Sequence, residues 1–356
     1  MPVKGVCVMH REQLHLLPGV LLPWYQSNKR DLPWRADREP YHVWLSEIML
    51  QQTRVEAVKG YYTRFLHVLP TIEALANCND ELLHKLWEGL GYYSRVRNLK
   101  KAAQVIMAEH GGVFPGEYAA VRALPGIGDY TAGAICSICF DLPTPAVDGN
   151  VLRLIARITD NHTPIDLPAR KKEVQTQLAE VYPTEAGDFT QALMELGATI
   201  CGPNKKPDCE NCPCKSFCLG YRNGTAELLP VKSPQKGRRE EKLTVFILRC
   251  GDEYALEKRP ESGLLAGLWQ FPNIPGTLDA SHAVAWAAEQ GLKTLDIRRI
   301  SEKKHIFTLI QWNMTGIYLE VSEKTDKFQW FTEEEINRTA ALPTAFRQFW
   351  EERDYV

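Results

Sequence analysis

The sequence lacks a run of about eighteen apolar residues, the length that a membrane-spanning helix needs, so no membrane span is expected. Its opening segment contains an apolar patch, but Arg11, Glu12 and His15 interrupt it, and no small-residue cleavage site follows. An excess of positive charge is also missing. The formal net charge is −2, so composition alone gives no indication of a nucleic-acid partner. These absences favour a cytoplasmic protein whose binding surfaces come from local clusters of side chains.

The pattern of apolar residues divides the chain into a helical part and a part rich in strands. Residues 24–200 show helical periodicity almost throughout, and the apolar face that follows Pro40 is typical of one long helix. Residues 223–242 are polar and have the composition of a linker. From residue 243 onward, strands are predicted at 243–250, 253–259 and 306–321, and helices at 281–290 and 343–352. The sequence therefore predicts an all-α domain followed by an α+β domain.

Ten cysteines are present, and half of them fall within the stretch 201–218. Cys201, Cys209, Cys212 and Cys218 are separated by short intervals that contain prolines, so their thiolates can converge on one metal centre. Without a secretory signal, such a group is more typical of metal ligation than of disulfides. A structural zinc ion and a [4Fe–4S] cluster both accept four cysteines, and the spacing by itself leaves both open. Cys214 is not expected to be a ligand.

A glycine-rich hairpin is expected where LPGIGDYTA connects two helical stretches. Gly126 and Gly128 allow a tight turn whose backbone N–H groups stand at the N-terminus of the next helix. Such a turn is a favourable place for an anion such as a phosphate, although it also occurs as an ordinary connection between helices.

Two carboxylates are candidates for catalysis. Asp148 directly precedes a helical stretch, so it is either the N-cap of that helix or a carboxylate that faces a reacting sugar. Glu47 lies in the apolar segment WLSEIMLQQT, so it is either part of a solvated helix face or a buried acid with a raised pKa. One acid and one ionised stabiliser together would suit the cleavage of a glycosidic bond.

These motifs resemble those of the endonuclease III and MutY DNA glycosylases. The spacing C-x7-C-x2-C-x5-C has one residue more in its first interval than the family's cluster loop, and it follows the segment ELGA as it does there. LPGIGDYTA is similar to the family's helix-hairpin-helix, and SEIMLQQT matches the MutY branch. The resemblance implies an all-α helix-hairpin-helix glycosylase domain over residues 1–222, with a [4Fe–4S] cluster in the loop 201–218. It also implies a linker over residues 223–242 and an α+β MutT/Nudix-like domain over residues 243–356.

The resemblance implies roles for four side chains near the reacting bond. Glu47 matches the acid that protonates the leaving adenine, and Asp148 matches the carboxylate that stabilises the sugar or bonds to it transiently. Asn150 belongs to the same motif and is expected to order the site. Tyr130 stands where the endonuclease III branch has a lysine. Because a tyrosine cannot form a Schiff base, a monofunctional glycosylase is indicated.

Further residues match positions that contact the DNA in the family, where the target base is flipped out of the duplex. They are Leu50, Gln52 and Tyr92 as wedges in the base stack, Trp34, Arg35, Arg30 and Glu195 as the adenine pocket, Gly126 and Gly128 as the phosphate-holding turn, and Lys205 and Lys206 as phosphate contacts of the cysteine loop.

The second domain is expected to bind the base opposite the adenine and not to hydrolyse phosphates. Segment 263–272 resembles the MutT-like domain of MutY, but residues 284–291 contain a single acid where a Nudix hydrolase clusters its metal-binding carboxylates. In the family, a Phe-Ser-His loop recognises 8-oxoguanine, and the aligned residues here are Phe307, Thr308 and Leu309. The imidazole is lost, so weaker or altered discrimination between 8-oxoguanine and guanine is expected.

The resulting hypothesis is a monomeric DNA glycosylase of base excision repair, associated with the nucleoid if its source is bacterial. Its expected partner is double-stranded DNA in which adenine is mispaired with 8-oxoguanine or guanine. Two alternatives stay open. One is a glycosylase/lyase for pyrimidine lesions, against which Tyr130 and the extra domain argue. The other is a DNA-binding protein without enzymatic activity, against which Glu47 and Asp148 argue.

Overall fold

A computed structural model describes residues 12–203, 206–234 and 237–353. The chain divides into two compact units, one made of residues 1–77 and 98–234 and the other of residues 78–97 and 235–356. Within the described ranges, no helix is both long enough and apolar enough to cross a membrane.

The first unit is helical throughout its described part, as the periodicity predicts. Apolar residues that recur at helical spacing form a core in this unit that is buried from solvent. The helices up to residue 222 are α1 (Leu17–Asn28), α2 (Pro40–Leu50), α3 (Val55–Val68), α4 (Ile72–Asn77), α5 (Asp80–Trp87), α6 (Ser94–Glu109), α7 (Tyr118–Ala123), α8 (Asp129–Phe140), α9 (Gly149–Ile158), α10 (Pro168–Ala179), α11 (Ala186–Thr199) and α12 (Leu219–Arg222). Of these, α5 and the start of α6 lie in the second unit. A 3-10 turn lies at Pro33–Arg35.

The prediction of one long helix after Pro40 is wrong, because α2 ends at Leu50 and α3 begins only at Val55. Between them the backbone of Gln52 has a φ of 59°, a left-handed conformation that costs a non-glycine residue about 1–3 kcal/mol. The apolar spacing continues across this break, so periodicity could not reveal it. The break leaves Leu50 and Gln52 at the end of a helix instead of in its middle.

Helix α9 is the central helix of the first unit. Asp148 caps it, since its Oδ1 accepts a hydrogen bond from the N–H of Val151 at 2.8 Å. Every residue from Val151 to Ile158 is buried, including the two arginines Arg153 and Arg157. A buried guanidinium must find partners inside the protein, and those of α9 find them in the cysteine loop.

In the described part of the second unit, seven strands form one mixed sheet. The elements are β1 (Arg239–Cys250), β2 (Glu253–Lys258), β3 (Trp269–Gln270), β4 (Asn273–Pro275), α13 (Ala280–Glu289), β5 (Thr294–Ile306), β6 (Ile310–Val321), β7 (Gln329–Thr332), α14 (Glu333–Arg338) and α15 (Thr344–Trp350). The strand order is β3-β2-β1-β6-β5, with β4 pairing with β1 and β7 with β2. Strands β1 and β6 are parallel, and β5 and β6 form a long antiparallel hairpin. One face of the sheet packs against α15 and the other against α13.

The second unit departs from the expected boundaries in three places. Strand β1 begins at Arg239, inside the predicted linker, because its polar residues still pair with β6. The predicted strand 306–321 contains a turn at residues 307–309, between the end of β5 and the start of β6. Residues 78–97, which the sequence assigned to the first domain, belong to the second unit.

Candidate active site and nucleic-acid interface

A cavity of about 680 Å³ in the first unit brings together ten of the side chains that the sequence singled out. It is lined by residues of the segment 30–35, of α2 and the segment after α2, of α8, of the start of α9 and of one face of α11. The ten residues are Arg30, Trp34, Arg35, Glu47, Leu50, Gln52, Tyr130, Asp148, Asn150 and Glu195.

Glu47 and Tyr130 form a buried pair in this cavity. The Tyr130 hydroxyl donates a hydrogen bond to Oε2 of Glu47 at 2.7 Å. Burial raises the pKa of Glu47 to about 7, the hydrogen bond from Tyr130 opposes this rise, and the nearby charge of Asp148 adds to it. Burial also holds the pKa of Tyr130 well above its ordinary value, so the phenol is a neutral donor. A carboxyl group with a pKa near 7 can donate a proton at neutral pH.

Asp148 is both a helix cap and a cavity residue, so the two interpretations of it are compatible. Its Oδ1 accepts from Val151 N–H, and its Oδ2 accepts from Nδ2 of Asn150 at 2.7 Å. Burial raises the pKa of Asp148, while these two hydrogen bonds and the charge of Arg153 oppose the rise. The donors fix the orientation of the carboxylate at the cavity wall.

Glu195 organises the opposite side of the cavity. Its side chain is fully buried and accepts from Nε of Arg30 at 2.6 Å and from Nη2 of Arg35 at 2.7 Å. Burial alone would raise the pKa of Glu195, but the hydrogen bonds from the two arginines outweigh it and lower the pKa. The carboxylate therefore stays ionised and holds Arg35 at the cavity. Trp34 is braced edge-on by Tyr62, with 5.6 Å between ring centres.

Two buried arginines of α9, which the sequence reasoning missed, join the site to the cysteine loop. Nη2 of Arg153 donates to Oδ1 of Asn150 at 2.9 Å, and its Nε donates to the carbonyl of Cys201 at 2.8 Å. Nη1 of Arg157 donates to the same carbonyl at 3.0 Å and lies 3.2 Å from Sγ of Cys201. The available signal was a pair of arginines four residues apart in a helix that is otherwise apolar.

The four candidate cysteines line one small apolar cavity, together with Cys214. Across the described ranges, no three His, Cys, Asp or Glu side chains are close enough together to hold a metal ion as they stand. The donor chemistry nevertheless fits a thiolate-bound group, since four sulfurs share one cavity and the Arg157 guanidinium would offset their charge. Lys206 of the same loop pairs with Glu227 at 2.9 Å, and Lys205 lies outside the described residues.

The hairpin between α7 and α8 needs glycine at one of its two predicted positions. Gly126 has a φ of 78°, and a Cβ there would lie 2.6 Å from Cβ of Asn98. Gly128 has a φ of −96°, and a Cβ there would meet nothing within 4 Å. The fold therefore requires glycine at Gly126, whereas Gly128, the N-cap of α8, has room for a side chain.

In the second unit, Tyr92 and the turn 307–309 lie together. Tyr92 is 48% exposed and has a φ of 49°, and its hydroxyl is 3.2 Å from Oγ1 of Thr308. The ring of Phe307 packs on Trp312, with 4.9 Å between centres, so it supports the turn from inside. Thr308 is exposed, and so is Leu309, at 73% exposure.

Several cavity residues were not predicted. Gln191 and Met194 precede Glu195 on the same face of α11, and the spacing of four residues between Gln191 and Glu195 was a usable signal. Ser46, beside Glu47, is almost completely buried. Gln51 lies in the segment that ends α2, and its Nε2 is 3.5 Å from Oγ1 of Thr131.

A helical unit with this hairpin and with the carboxyl groups of Glu47 and Asp148 in one cavity, followed by a mixed-sheet unit, has the architecture of a helix-hairpin-helix DNA glycosylase. Residues 45–184 match the model of the HhH-GPD superfamily of base excision DNA repair proteins, and residues 244–352 match that of the NUDIX domain. The solved structure of a thermostable thymine-DNA glycosylase is similar, with a TM-score of 0.54 and 28% identity over 60% of this chain and 98% of that chain.

Two curated relatives give the particular family. The chain is 36% identical to the adenine DNA glycosylase of Rattus norvegicus, over 92% of this chain and 76% of the relative. It is 35% identical to the adenine DNA glycosylase of Homo sapiens, over 93% of this chain and 72% of the relative. The chain belongs to the adenine DNA glycosylase family and is a DNA N-glycosylase of base excision repair. The expected fold class is confirmed.

Proposed function

We propose that this protein hydrolyses the N-glycosidic bond of adenine in double-stranded DNA, where the adenine is mispaired with 8-oxoguanine or guanine. The observation that carries the proposal is the cavity in which Glu47, with a pKa of about 7, shares the space with Asp148, Asn150 and Tyr130. One protonated and one ionised carboxyl group are what cleavage of a bond between a base and a sugar requires.

The glycosidic bond is shielded inside the duplex, so the adenine has to leave the stack. Leu50 and Gln52 line the same cavity and would occupy the space that the base leaves. Within the cavity, the flipped adenine would contact Trp34 and Arg35, whose positions are held by Tyr62 and Glu195.

Glu47 then donates its proton to the leaving adenine, and the electrons of the C–N bond depart with the base. Positive charge develops on the sugar, and the carboxylate of Asp148 stabilises it or bonds to it transiently. Water supplies the hydroxyl group of the product, and its remaining proton returns to the Glu47 carboxylate. Tyr130 orients Glu47 through its hydrogen bond. Because a tyrosine cannot form an imine with the opened sugar, the enzyme is monofunctional and leaves an abasic site.

We propose further that Cys201, Cys209, Cys212 and Cys218 hold a [4Fe–4S] cluster. Once bound, the cluster would supply a structural cross-link that fixes the loop 201–218. The carbonyl of Cys201, fixed in this way, would hold Arg153, and Arg153 would hold Asn150 beside Asp148. Iron and sulfide contents of about four each per chain would support this proposal, whereas a single zinc ion would contradict it.

The second unit is proposed to read the base opposite the adenine through Thr308. A threonine hydroxyl can exchange hydrogen bonds with the lesion, but Leu309 offers no polar group, so 8-oxoguanine is expected to be preferred over guanine less strongly. We propose that the protein acts on this DNA as a monomer.

The proposal is tested by single-turnover release of adenine from duplexes that place it opposite 8-oxoguanine, guanine or cytosine. Release from the first two, without a covalent adduct on borohydride reduction, is expected. Strong adduct formation would favour a lyase instead. Duplexes with oxidised pyrimidines serve as the control, since the protein should leave them intact.

A further inference from the structure

The turn that carries Tyr92 is rigidly built. Nη2 of Arg95 donates to the carbonyl oxygens of Leu90 and Gly91, each at 3.1 Å, and Nε1 of Trp87 donates to the same Gly91 oxygen at 3.1 Å. The Arg95 guanidinium also lies 5.6 Å from the centre of the Tyr92 ring. Because the turn is held internally at several points, its attachment to the rest of the second unit decides where Tyr92 stands.

Arg97 supplies one part of that attachment by donating to the carbonyl of Ala266 at 2.8 Å, and the charged part is a compact group at Glu88, directly after α5. Its Oε2 pairs with Nζ of Lys85 at 2.8 Å and with Nη2 of Arg347, on α15, at 2.7 Å. Its Oε1 accepts from the N–H of Leu342 at 2.9 Å. The Glu88 side chain is 9% exposed, and its carboxylate accepts from three groups of the protein, namely Lys85, Arg347 and the N–H of Leu342. We name Lys85, Glu88 and Arg347 the Glu88 cluster.

Helix α15, which carries Arg347, also supports the turn 307–309. Phe346, the neighbour of Arg347 on α15, packs against Trp312 with 6.0 Å between ring centres, and Trp312 packs against Phe307. Helix α15 thus holds the Tyr92 turn through an ion pair and the turn 307–309 through an aromatic stack. The two turns meet at the hydrogen bond between Tyr92 and Thr308.

We propose that the Glu88 cluster sets the position of Tyr92 relative to Thr308 and thereby determines how well the opposite base is discriminated. Glu88 and Arg347 are positioning residues, which contact neither the base nor the reacting atoms. This inference rests on the proposed function of Thr308. Loosening the cluster lets Tyr92 and Thr308 move apart, so the protein loses selectivity for the opposite base while the cavity with Glu47 and Asp148 keeps its geometry.

The test compares the affinities of the full protein for duplexes that pair a non-cleavable adenine analogue with 8-oxoguanine or with guanine. Glu88→Gln keeps the shape and an acceptor for Leu342 N–H but removes the charge. We expect the ratio of the two affinities to fall about 3- to 10-fold, with the single-turnover rate at saturating enzyme changed less than about twofold. Glu320→Gln is the matched control, because it removes an exposed pair with Arg298 in the same unit and should leave the ratio unchanged.

A double-variant cycle separates positioning from general loss of structure. If the cluster acts through Thr308, Glu88→Gln combined with Thr308→Ala lowers the ratio no further than Thr308→Ala alone.

A normal ratio in Glu88→Gln, or an equal loss of rate on all duplexes, overturns the inference while leaving the proposed function intact. A normal ratio in Thr308→Ala contradicts the proposed function instead. If Glu88→Gln fails to fold, Arg347→Gln, at the more exposed partner, takes its place with the same expected fall in the ratio.

Discussion

The cavity of the first unit and the turn 307–309 of the second unit are built in opposite ways. In the cavity, Glu47 is buried and Asp148 is half-buried, and each accepts hydrogen bonds from named donors. In the turn, Thr308 and Leu309 are exposed, and the described hydrogen bond of the Thr308 side chain goes to Tyr92, which is itself half exposed. Burial tunes the chemistry of the first site, whereas the second site presents its groups to a partner.

This difference predicts different consequences of substitution. Changes in the cavity should alter rates and pH dependence by large factors, because buried charges have few ways to be compensated. Changes in the turn should alter the selectivity for the opposite base by small factors and leave the rate at saturation nearly unchanged.

The largest effect is expected for Asp148→Asn. The amide keeps the size of the side chain but cannot stabilise a positive sugar, so the single-turnover rate should fall by about a thousandfold. Affinity for a duplex with a non-cleavable adenine analogue should stay within a few-fold of normal. Retained activity would show that Asp148 takes no part in the reaction. It would also contradict the expectation that substitutions in the cavity have larger effects than substitutions in the turn 307–309.

Glu47→Gln is expected to inactivate the enzyme and also to stabilise it at alkaline pH. Burial raises the pKa of Glu47 from 4.5 to about 7, so the folded state holds a proton that the unfolded state has already lost between these values. The native protein therefore loses stability as the pH rises from about 4.5 to about 7, by about 3 kcal/mol in total. The glutamine variant escapes this loss. Urea unfolding of the native protein and of Glu47→Gln at pH 5 and pH 8 measures this effect. If the two proteins differ in the free energy of unfolding by the same amount at both pH values, the raised pKa of Glu47 is refuted.

Gly126→Ala and Gly128→Ala form a matched pair for the hairpin. Alanine at 126 is strained by the positive φ and the contact with Asn98, so it should cost about 1–3 kcal/mol of folding stability. Alanine at 128 has free space and should cost less than about 1 kcal/mol, while weakening the affinity for duplex DNA. If Gly128→Ala binds duplexes normally, the turn is not a phosphate contact.

The smallest effect is expected for Leu309→His, which returns a hydrogen-bonding group to the exposed turn. The preference for 8-oxoguanine over guanine should rise about 3- to 10-fold, because one added hydrogen bond contributes about 1 kcal/mol. Leu309→Asn is a useful companion, since it adds polarity without an imidazole. If the preference is already strong in the native protein and does not change in the variants, Leu309 does not weaken the discrimination between 8-oxoguanine and guanine.

The sequence predicted the members of the cavity better than the supports around them. Glu47, Tyr130 and Asp148 stand in short motifs, and motifs are local. Arg153 and Glu88 act through partners more than forty and more than two hundred residues away, Cys201 and Arg347, and no spacing rule connects such positions. The break at Gln52 was missed for a related reason, since a single left-handed residue leaves the apolar spacing intact.

The proposed roles of Glu47 and Asp148 are tested most directly by the release of adenine from a duplex that pairs it with 8-oxoguanine, measured between pH 5 and pH 9 with excess enzyme. Release should decline about tenfold per pH unit above about 7, as Glu47 loses its proton, and Asp148→Asn should release adenine about a thousandfold more slowly. Adenine release that is absent, or that stays constant across pH 7 to 9, would contradict these roles.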